Sequence, residues 1–400
     1  MKRLNVLYIS GSLGLGHITR DIAIARNLRK HLPETDIDWL ASNPATIMLE
    51  EAGEKLVPEA GQYGNENISA EEAAEGSNLN LLKYLLKSRG ERKQNVELFL
   101  KIIGSKNYDL VIGDETYEIS LAVREHPELK KFLFVMIFDF VGLDAMTKNP
   151  LEHLGVYYWN RAWSRDYRLK QKPPYDLALF VGVQENIPDK SFGFMLPNRR
   201  QFANAMYKFI GYAFPFNADK YKDKKEIRSK LGYGPEPLVI CSIGGTAIGK
   251  EILELCGEAY KIVKENIPNL HLKVVAGPRL TTGNLNLPKD AEVVGFIPRL
   301  YEHFAASDLA IVQGGATSTL ELTALRRPFI YFPIEGHCEQ ANVSRILTQL
   351  GSGLRLTFSE TTRESLAGRM IDLLGKEVTY PDIPKDGAQK AAQFIVELLN

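Results

Sequence analysis

The densest group of residues that could do chemistry lies within residues 308–353. An apolar strand, Leu309–Val312, ends in a short polar loop that opens a helix. The residues of this loop and helix opening are Gln313, Gly314, Gly315, Ala316, Thr317 and Ser318. Because the first turn of a helix has unpaired backbone N–H groups and carries the positive end of the helix dipole, this opening suits a diphosphate.

Three more polar residues follow at spacings that suit the rest of a nucleotide sugar. Glu321 is predicted in the first turn of that helix, near enough to the phosphate position for its carboxylate to accept hydrogen bonds from ribose hydroxyls. Glu339 and Gln340 come after the next strand, Pro328–Phe332, and can bind sugar hydroxyls. Base, phosphates and sugar would then lie in a line.

A second glycine-rich loop, with Gly14 and Gly16, joins the N-terminal strand Asn5–Ser10 to His17 and a helical pattern. A dinucleotide-binding fingerprint does not fit this loop. The pattern G-x-G-x-x-G, counted from Gly14, requires glycine at position 19, which is threonine.

Together these motifs resemble those of GT-B glycosyltransferases, both the UDP-glycosyltransferase family and the peptidoglycan N-acetylglucosaminyltransferase family. Their donor site carries a GG-x-x-S/T-x-x-E run and then a P-x-x-x-D-Q-x-x-N-A run, which correspond here to residues 314–321 and 333–342. Gln313 stands where His or Arg is frequent, and it can donate to a phosphate without carrying charge. Glu339 stands where Asp is usual, so sugar specificity cannot be transferred.

The resemblance implies roles for two residues of the first half. His17 would be the base for an acceptor hydroxyl or lie beside it, and a surface or capping histidine is the alternative. Asp114, after the strand Asp109–Ile112, would orient that histidine, and an acid that caps the next helix is the alternative. Asp139 is a weaker candidate for the same role.

A third glycine-rich loop follows the strand Leu238–Ser242 and opens another helix. The loop residues are Gly244, Gly245 and Thr246, and in the peptidoglycan enzymes the equivalent loop faces the donor phosphates. Phe296 and Ile297 resemble the segment whose backbone holds the uracil base there, with ordinary core packing as the alternative. Arg279 could reach a phosphate or lie in solvent.

Two strand-loop-helix openings, one near the start of each half, predict two Rossmann-like domains. We therefore expect an α/β protein of the GT-B class, with parallel sheets facing a central cleft. Residues 1–215 would form the acceptor domain and residues 216–383 the donor domain, and a helix in residues 384–400 would cross back to the first domain. Residues 59–78 are predicted to be a mobile loop. The basic amphipathic segment 79–101 would form helices on the first domain or a patch that meets a membrane or acceptor.

The composition of the chain limits which classes of partner and which cellular setting we expect. The 400 residues are 44% hydrophobic and 24% charged, which is ordinary for a soluble protein, and the net charge of zero gives no case for nucleic acid. The three cysteines lack paired or metal-ligand spacing, which favours a cytoplasmic setting, with peripheral membrane contact as an open alternative. Asp36 and Asp38 have D-x-D spelling but are not expected to hold a metal. No cofactor is predicted beyond a nucleoside-diphosphate sugar as co-substrate.

The sequence thus predicts an inverting, metal-independent glycosyltransferase. It would move a sugar from a nucleoside-diphosphate sugar, with uridine favoured as the base, to an unidentified hydroxyl acceptor, and a lipid-linked acceptor is among the options. One alternative is a nucleotide-sugar epimerase or hydrolase of the same fold. Another is a sugar-nucleotide-binding protein without catalysis.

Overall fold

The computed structural model describes residues 4–11, 14–75, 78–80, 83–84 and 87–400. The chain forms two compact units. The first comprises Met1–Ser69, Leu81–Pro215 and Pro384–Asn400, and the second comprises Ala70–Asn80 and Phe216–Ile383. Among the described residues, none of the helices is long and apolar enough to cross a bilayer.

The strands are β1 (Leu4–Ile9), β2 (Thr35–Leu40), β3 (Lys55–Leu56), β4 (Ala74–Glu75), β5 (Asn78–Leu79), β6 (Leu110–Asp114), β7 (Leu133–Phe138), β8 (Leu177–Val181), β9 (Lys208–Gly211), β10 (Leu238–Ser242), β11 (His271–Val275), β12 (Glu292–Val294), β13 (Leu309–Gln313), β14 (Phe329–Phe332) and β15 (Leu354–Arg355). The helices are α1 (Gly16–His31), α2 (Ala45–Glu51), α3 (Glu66–Ala73), α4 (Arg89–Ser105), α5 (Tyr117–Glu125), α6 (Pro150–Trp163), α7 (Arg165–Leu169), α8 (Arg199–Met206), α9 (Lys224–Leu231), α10 (Lys250–Asn266), α11 (Leu300–Ala306), α12 (Ala316–Ala324), α13 (Cys338–Leu350), α14 (Arg363–Leu373) and α15 (Gly387–Leu399).

The first unit is built on a parallel sheet with the strand order β3-β2-β1-β6-β7-β8-β9. Its central strands are nearly continuous apolar runs, as expected when helices cover both faces of a parallel sheet. The C-terminal helix α15 belongs to this unit, where Ala388, Ala391, Ala392 and Ile395 pack into the same core as Ile18 and Ile22 of α1. The carboxyl ends of β1, β6 and β7 carry the polar residues described below.

The second unit is built on a parallel sheet with the order β12-β11-β10-β13-β14-β15. The short antiparallel pair β4–β5 is also part of this unit, and the Leu79 N–H donates to the Glu335 carbonyl at 2.8 Å. Two parallel-sheet α/β units confirm the predicted fold class. The inclusion of residues 70–80 in the second unit was not predicted.

The predicted loop at residues 59–78 is wrong where the structure forms α3. The residues that α3 buries are Asn67, Ser69, Ala70 and Ala73, which are polar or small, so the segment lacks the large apolar periodicity that marks a helix. In the segment 79–101, residues 81, 82, 85 and 86 lie outside the described residues. The helix that begins at Arg89 buries Leu98 and Phe99 in the core of the first unit, as in the packing alternative.

Candidate active site

His17 is the second residue of α1 and is buried. A Cβ at Gly11 would lie 3.0 Å from both Cγ and Nδ1 of the imidazole, so the absence of a side chain there makes room for the ring. Gly14 has φ +74°, a conformation that favours glycine, and its N–H donates to Asn67 Oδ1 at 2.7 Å. The loop before His17 is therefore held by α3.

The structure brings His17 and Asp114 together. Asp114 is the last residue of β6 and is fully buried, and its Oδ2 lies 3.0 Å from His17 Nδ1. Arg20, which was not predicted, donates two hydrogen bonds to the same carboxylate. Its Nε donates to Asp114 Oδ2 at 3.0 Å, and its Nη2 donates to Asp114 Oδ1 at 2.6 Å. The available signal was its position three residues after His17 on one helix, a spacing that places two side chains on the same face.

The His17 Nδ1 atom faces two different partners. Arg20 Nη2 lies 2.7 Å from it, close to Asp114 Oδ2 on the same ring nitrogen. A protonated Nδ1 donates to Asp114, whereas an unprotonated Nδ1 accepts from Arg20. Only the first arrangement leaves Nε2 of a neutral imidazole free to take a proton, so Asp114 favours the tautomer that a base requires and Arg20 opposes it.

Asp139 lies in the same buried cluster, as a partner of Arg20. Its Oδ2 accepts from Arg20 Nη1 at 2.5 Å. Glu115, the residue after β6, has φ +56°, a backbone conformation that is strained for residues other than glycine. Burial, together with the charge and hydrogen bond of Asp139, raises the pKa of Glu115 well above its usual value. The nearby charges of Arg20 and His17 instead lower the pKa of Asp139, so the pKa values of these two carboxyls shift in opposite directions.

The charges of this cluster set the protonation of His17. Burial and the Arg20 charge lower the pKa of His17, but Asp114 and Asp139 outweigh them and raise it to about 9. Burial raises the pKa of Asp114, but the charges of Arg20 and His17 hold it well below its usual range. At neutral pH the imidazole is protonated and Asp114 is ionised, so a base role for His17 requires loss of that proton first.

In the second unit, the predicted phosphate loop opens α12. Gly315 precedes the first helical residue, Ala316, and Thr317 and Ser318 are half-buried in the first turn. A Cβ at Gly314 would lie 2.7 Å from Pro333 Cα, so only glycine fits where this loop crosses the next one. The contact of this helix start with a diphosphate stays a prediction.

Glu321 lies in the second turn of α12, not in the first as predicted, because the helix begins at Ala316. Its side chain is 5% exposed, and burial raises its pKa to about 8. In the part of the chain that the structure describes, no group hydrogen-bonds its carboxylate. A buried carboxyl without a protein partner is costly, and hydroxyl donors from a ligand would remove that cost.

Two glutamines predicted to touch the donor bind the chain itself. Gln313 Nε2 donates to the Ile248 carbonyl at 2.7 Å, and Gln340 Oε1 accepts from the Ile334 N–H at 2.7 Å. Both side chains are buried and hold loops in place. Glu339 lies beside Gln340 in the first turn of α13 and is half-buried. The sugar contacts of Glu339 and Gln340 stay predictions.

The loop after β10 and Arg279 bind a carboxylate of the protein itself, that of Glu71. Arg279 binds both carboxylate oxygens of Glu71, through Nε and Nη2 at 2.6 Å each, and the Ala247 N–H donates to Glu71 at 2.9 Å. The hydroxyl of Thr246, the residue before Ala247, is buried, and among the described residues none hydrogen-bonds it. All four residues belong to the second unit. Glu71 was missed, and it shows that this loop and Arg279 together suit a negatively charged group.

Glycine is sterically required opposite this loop, at Gly277. Gly244 has φ +83°, and a Cβ at Gly277 would lie 2.3 Å from its carbonyl oxygen, so the two loops pack backbone to backbone. Gly245 lies in the same turn. Phe296 and Ile297 follow β12 and are half-buried, and Ile297 packs against a core cluster. Their contact with a base stays a prediction.

In the D-x-D sequence, Asp38 forms ion pairs with two lysines. Asp38 binds Lys55 Nζ at 2.6 Å and Lys106 Nζ at 2.6 Å. Among the described residues, no group of three or more His, Cys, Asp or Glu side chains is arranged to hold a metal ion.

Comparison with known proteins finds matches in family, sequence and fold. Residues 239–398 match the glycosyltransferase family 28 C-terminal domain. An uncharacterized glycosyltransferase of Methanosarcina mazei is 22% identical over 88% of this chain and 86% of its own length. A UDP-N-acetylglucosamine–N-acetylmuramyl-(pentapeptide) pyrophosphoryl-undecaprenol N-acetylglucosamine transferase of Carboxydothermus hydrogenoformans is 27% identical over 38% of this chain and 42% of its own length.

Solved structures match along almost the whole chain. The glycotransferase of kitacinnamycin has a TM-score of 0.65 at 14% identity and covers 100% of both chains. The spinosyn rhamnosyltransferase SpnG, complexed with thymidine diphosphate, has a TM-score of 0.58 at 14% identity and covers 99% of this chain and 96% of its own. With two parallel-sheet units, a family 28 match and relatives that are glycosyltransferases, this chain belongs to the glycosyltransferases of the GT-B fold.

Proposed function

We propose that the protein is an inverting, metal-independent transferase that moves a sugar from a nucleoside-diphosphate sugar to a hydroxyl acceptor. The observation that carries the donor proposal is Glu321, a buried carboxyl that lacks a partner among the described residues and follows the Gly314–Gly315 loop by about two helical turns. Ribose hydroxyls bound to Glu321 would place the diphosphate at the N-terminus of α12, where backbone N–H groups and the helix dipole favour negative charge.

The proposed reaction is a single displacement. His17 Nε2 takes the proton of the acceptor hydroxyl, and the oxygen forms a bond to the anomeric carbon as the bond from that carbon to the diphosphate breaks. The nucleoside diphosphate leaves with the bonding electron pair, and N–H groups at α12 stabilise the added negative charge. Attack from the face opposite the leaving group inverts the anomeric carbon. Asp114 is a positioning residue, since it holds Nδ1 protonated.

The relatives inform the choice of ligands. The Carboxydothermus relative takes its name from a UDP-sugar donor and an undecaprenol-linked acceptor, and the spinosyn rhamnosyltransferase was solved with thymidine diphosphate. We therefore propose a pyrimidine nucleotide, with uridine favoured, and we include lipid-linked alcohols among the acceptors to be tested. Arg279 and the Thr246 hydroxyl would contact the diphosphate once Glu71 leaves them.

The proposal is tested by a panel of nucleoside diphosphates in thermal-shift measurements, with and without EDTA. A ligand that binds only the folded protein raises the melting temperature, and we expect UDP or TDP to do so equally in both conditions. Stabilisation that EDTA abolishes would contradict metal-independent binding. Product analysis with the preferred nucleotide sugar then separates the reactions, since a transferase gives a glycosylated acceptor with inverted configuration. An epimerised sugar or free sugar alone would instead support the epimerase or hydrolase alternative.

A further inference from the structure

One short helix, α3, makes a contact with a loop in each unit. Near its start, Asn67 accepts a hydrogen bond from the Gly14 N–H, in the loop before His17. Near its end, Glu71 binds the guanidinium of Arg279. Each contact lies within one unit, whereas the helix continues from the first unit into the second. A change at one end of α3 can therefore be transmitted to the other end through the helix itself.

The two side chains that make these contacts lie on the same face of α3. Asn67 and Glu71 are four positions apart, a spacing that places side chains one above the other on successive helical turns. A rotation or shift of α3 that withdraws the Glu71 carboxylate therefore displaces the Asn67 amide as well. The bond from Gly14 to Asn67 is 2.7 Å long, and lengthening it by about 1 Å would break it.

Little apolar packing fixes α3 in place. The residues that it buries are Asn67, Ser69, Ala70 and Ala73, and its one large apolar side chain, Ile68, is 45% exposed. Small and polar side chains remove little apolar surface from water, so the hydrogen bonds of α3 are a large share of what holds the helix. A helix of this kind can move without opening a hydrophobic core.

Glu71 occupies a position that suits an anionic ligand. Its carboxylate binds the Ala247 N–H and the Arg279 guanidinium, and in the described part of the chain no group hydrogen-bonds the hydroxyl of Thr246 in the same loop. A diphosphate and Glu71 cannot both bind these donors, because two negative groups repel each other and compete for the same N–H groups. A diphosphate that binds this loop would therefore expel Glu71.

We propose that α3 couples the phosphate contacts of the donor to the loop that precedes His17. A bound diphosphate expels Glu71, α3 moves with it, and Asn67 releases the Gly14 N–H. The backbone in front of the proposed base therefore differs between the free and the donor-bound protein. The inference rests on the proposed function in one respect, since it takes a nucleoside diphosphate as the group that expels Glu71.

Hydrogen exchange of the Gly14 amide in the ligand-free protein tests the coupling. Glu71→Gln removes the charge that binds Arg279, and Arg279→Gln removes the partner from the other side of the same contact. Both variants should speed this exchange at least about threefold, because loss of the distant contact frees Asn67 to move. Glu72→Gln is the matched control, since it makes the same change at the exposed neighbouring residue of α3 and should leave the exchange unchanged.

Calorimetry with inorganic pyrophosphate tests the coupling from the opposite end. Asn67→Ala removes the bond to Gly14, which holds α3 where Glu71 meets Arg279. It should therefore tighten pyrophosphate binding about threefold to tenfold, although Asn67 belongs to the other unit. In the Glu71→Gln background the same change should add no affinity, because the helix is already released. Melting temperatures of all variants establish that they are folded.

The outcomes separate this inference from the proposed function. Unchanged Gly14 exchange in folded Glu71→Gln and Arg279→Gln variants would overturn the coupling, and so would an equal gain from Asn67→Ala in both backgrounds. If both variants speed the exchange while neither pyrophosphate nor UDP binds, the helix coupling is supported and the proposed donor site is refuted. If pyrophosphate binds and the exchange does not respond, the donor site stands and the coupling falls.

Discussion

The pH dependence of donor binding is the sharpest prediction from the site. Burial raises the pKa of Glu321 to about 8, so most of the free protein carries this group as a neutral acid at pH 7. An ionised carboxylate accepts hydrogen bonds from both ribose hydroxyls, whereas the acid must use one oxygen as a donor. Binding should therefore favour the ionised form, release a proton and strengthen as the pH rises through the pKa of the free protein.

The size of the effect follows from the pKa. If only the ionised form binds, the dissociation constant is multiplied by about 100 at pH 6 and by about 1.3 at pH 8.5, for a pKa of about 8. Affinity should then rise up to about 80-fold across this range. Burial, as the main cause, lowers the pKa of His303 in the same unit to about 4, so that side chain stays neutral throughout.

Calorimetry with a nucleotide sugar is the assay, because its diphosphate does not gain a second proton in this range. Titrations in buffers of different ionisation enthalpy count the protons released. Glu321→Gln should bind like the unchanged protein at pH 6, lose the pH dependence and be weaker by about 1–3 kcal/mol at pH 8.5. A flat profile in the unchanged protein would refute the reasoning. A Gln variant that keeps the full slope would assign it to another group.

Further predictions concern His17, the proposed base, and Glu71, the carboxylate that Arg279 binds. His17→Ala should lower turnover by about 10²–10⁴-fold with nearly unchanged donor affinity, and equal losses in both would contradict a base role. Since the pKa of His17 is about 9, kcat/KM should rise with pH toward that value. Asp114→Asn removes a charge that raises this pKa, so the rise should move to lower pH as kcat falls, and an unmoved profile would count against His17. Glu71→Gln should tighten binding of inorganic pyrophosphate, by about tenfold, because Arg279 loses a competing charge-assisted pair. Arg279→Gln is the control that should weaken binding, and weaker binding by Glu71→Gln would mean that Glu71 supports the site.

The strands and the glycine loops could be predicted from the sequence because their signals are local. Buried parallel strands are short apolar runs, and a glycine pair before a polar helix start marks the turn that follows. Asp114 could be placed for the same reason, since residues at the carboxyl ends of neighbouring parallel strands meet at one edge of the sheet.

Long-range partners could not be predicted in this way. Glu71 and Arg279 are 208 positions apart, and neither carries a local pattern that names the other. The helix that contains Asn67 was missed because its buried side chains are small or polar, so burial left no apolar period in the sequence. Arg20 lies on a helix that was expected. Its pairing with Asp114 depends on two elements meeting at a distance that the sequence does not encode locally.

The order in which the ribosome makes the chain gives α15 a special position. The first unit contains the beginning of the chain, yet Ala391 and Ile395 of α15 complete the core beside α1. During synthesis, every residue of the second unit is made before this helix emerges. The apolar surface around Ile18 and Ile22 therefore lacks its native partner, α15, while the second unit is translated. A nascent chain of this protein should be a substrate for chaperones until α15 has emerged.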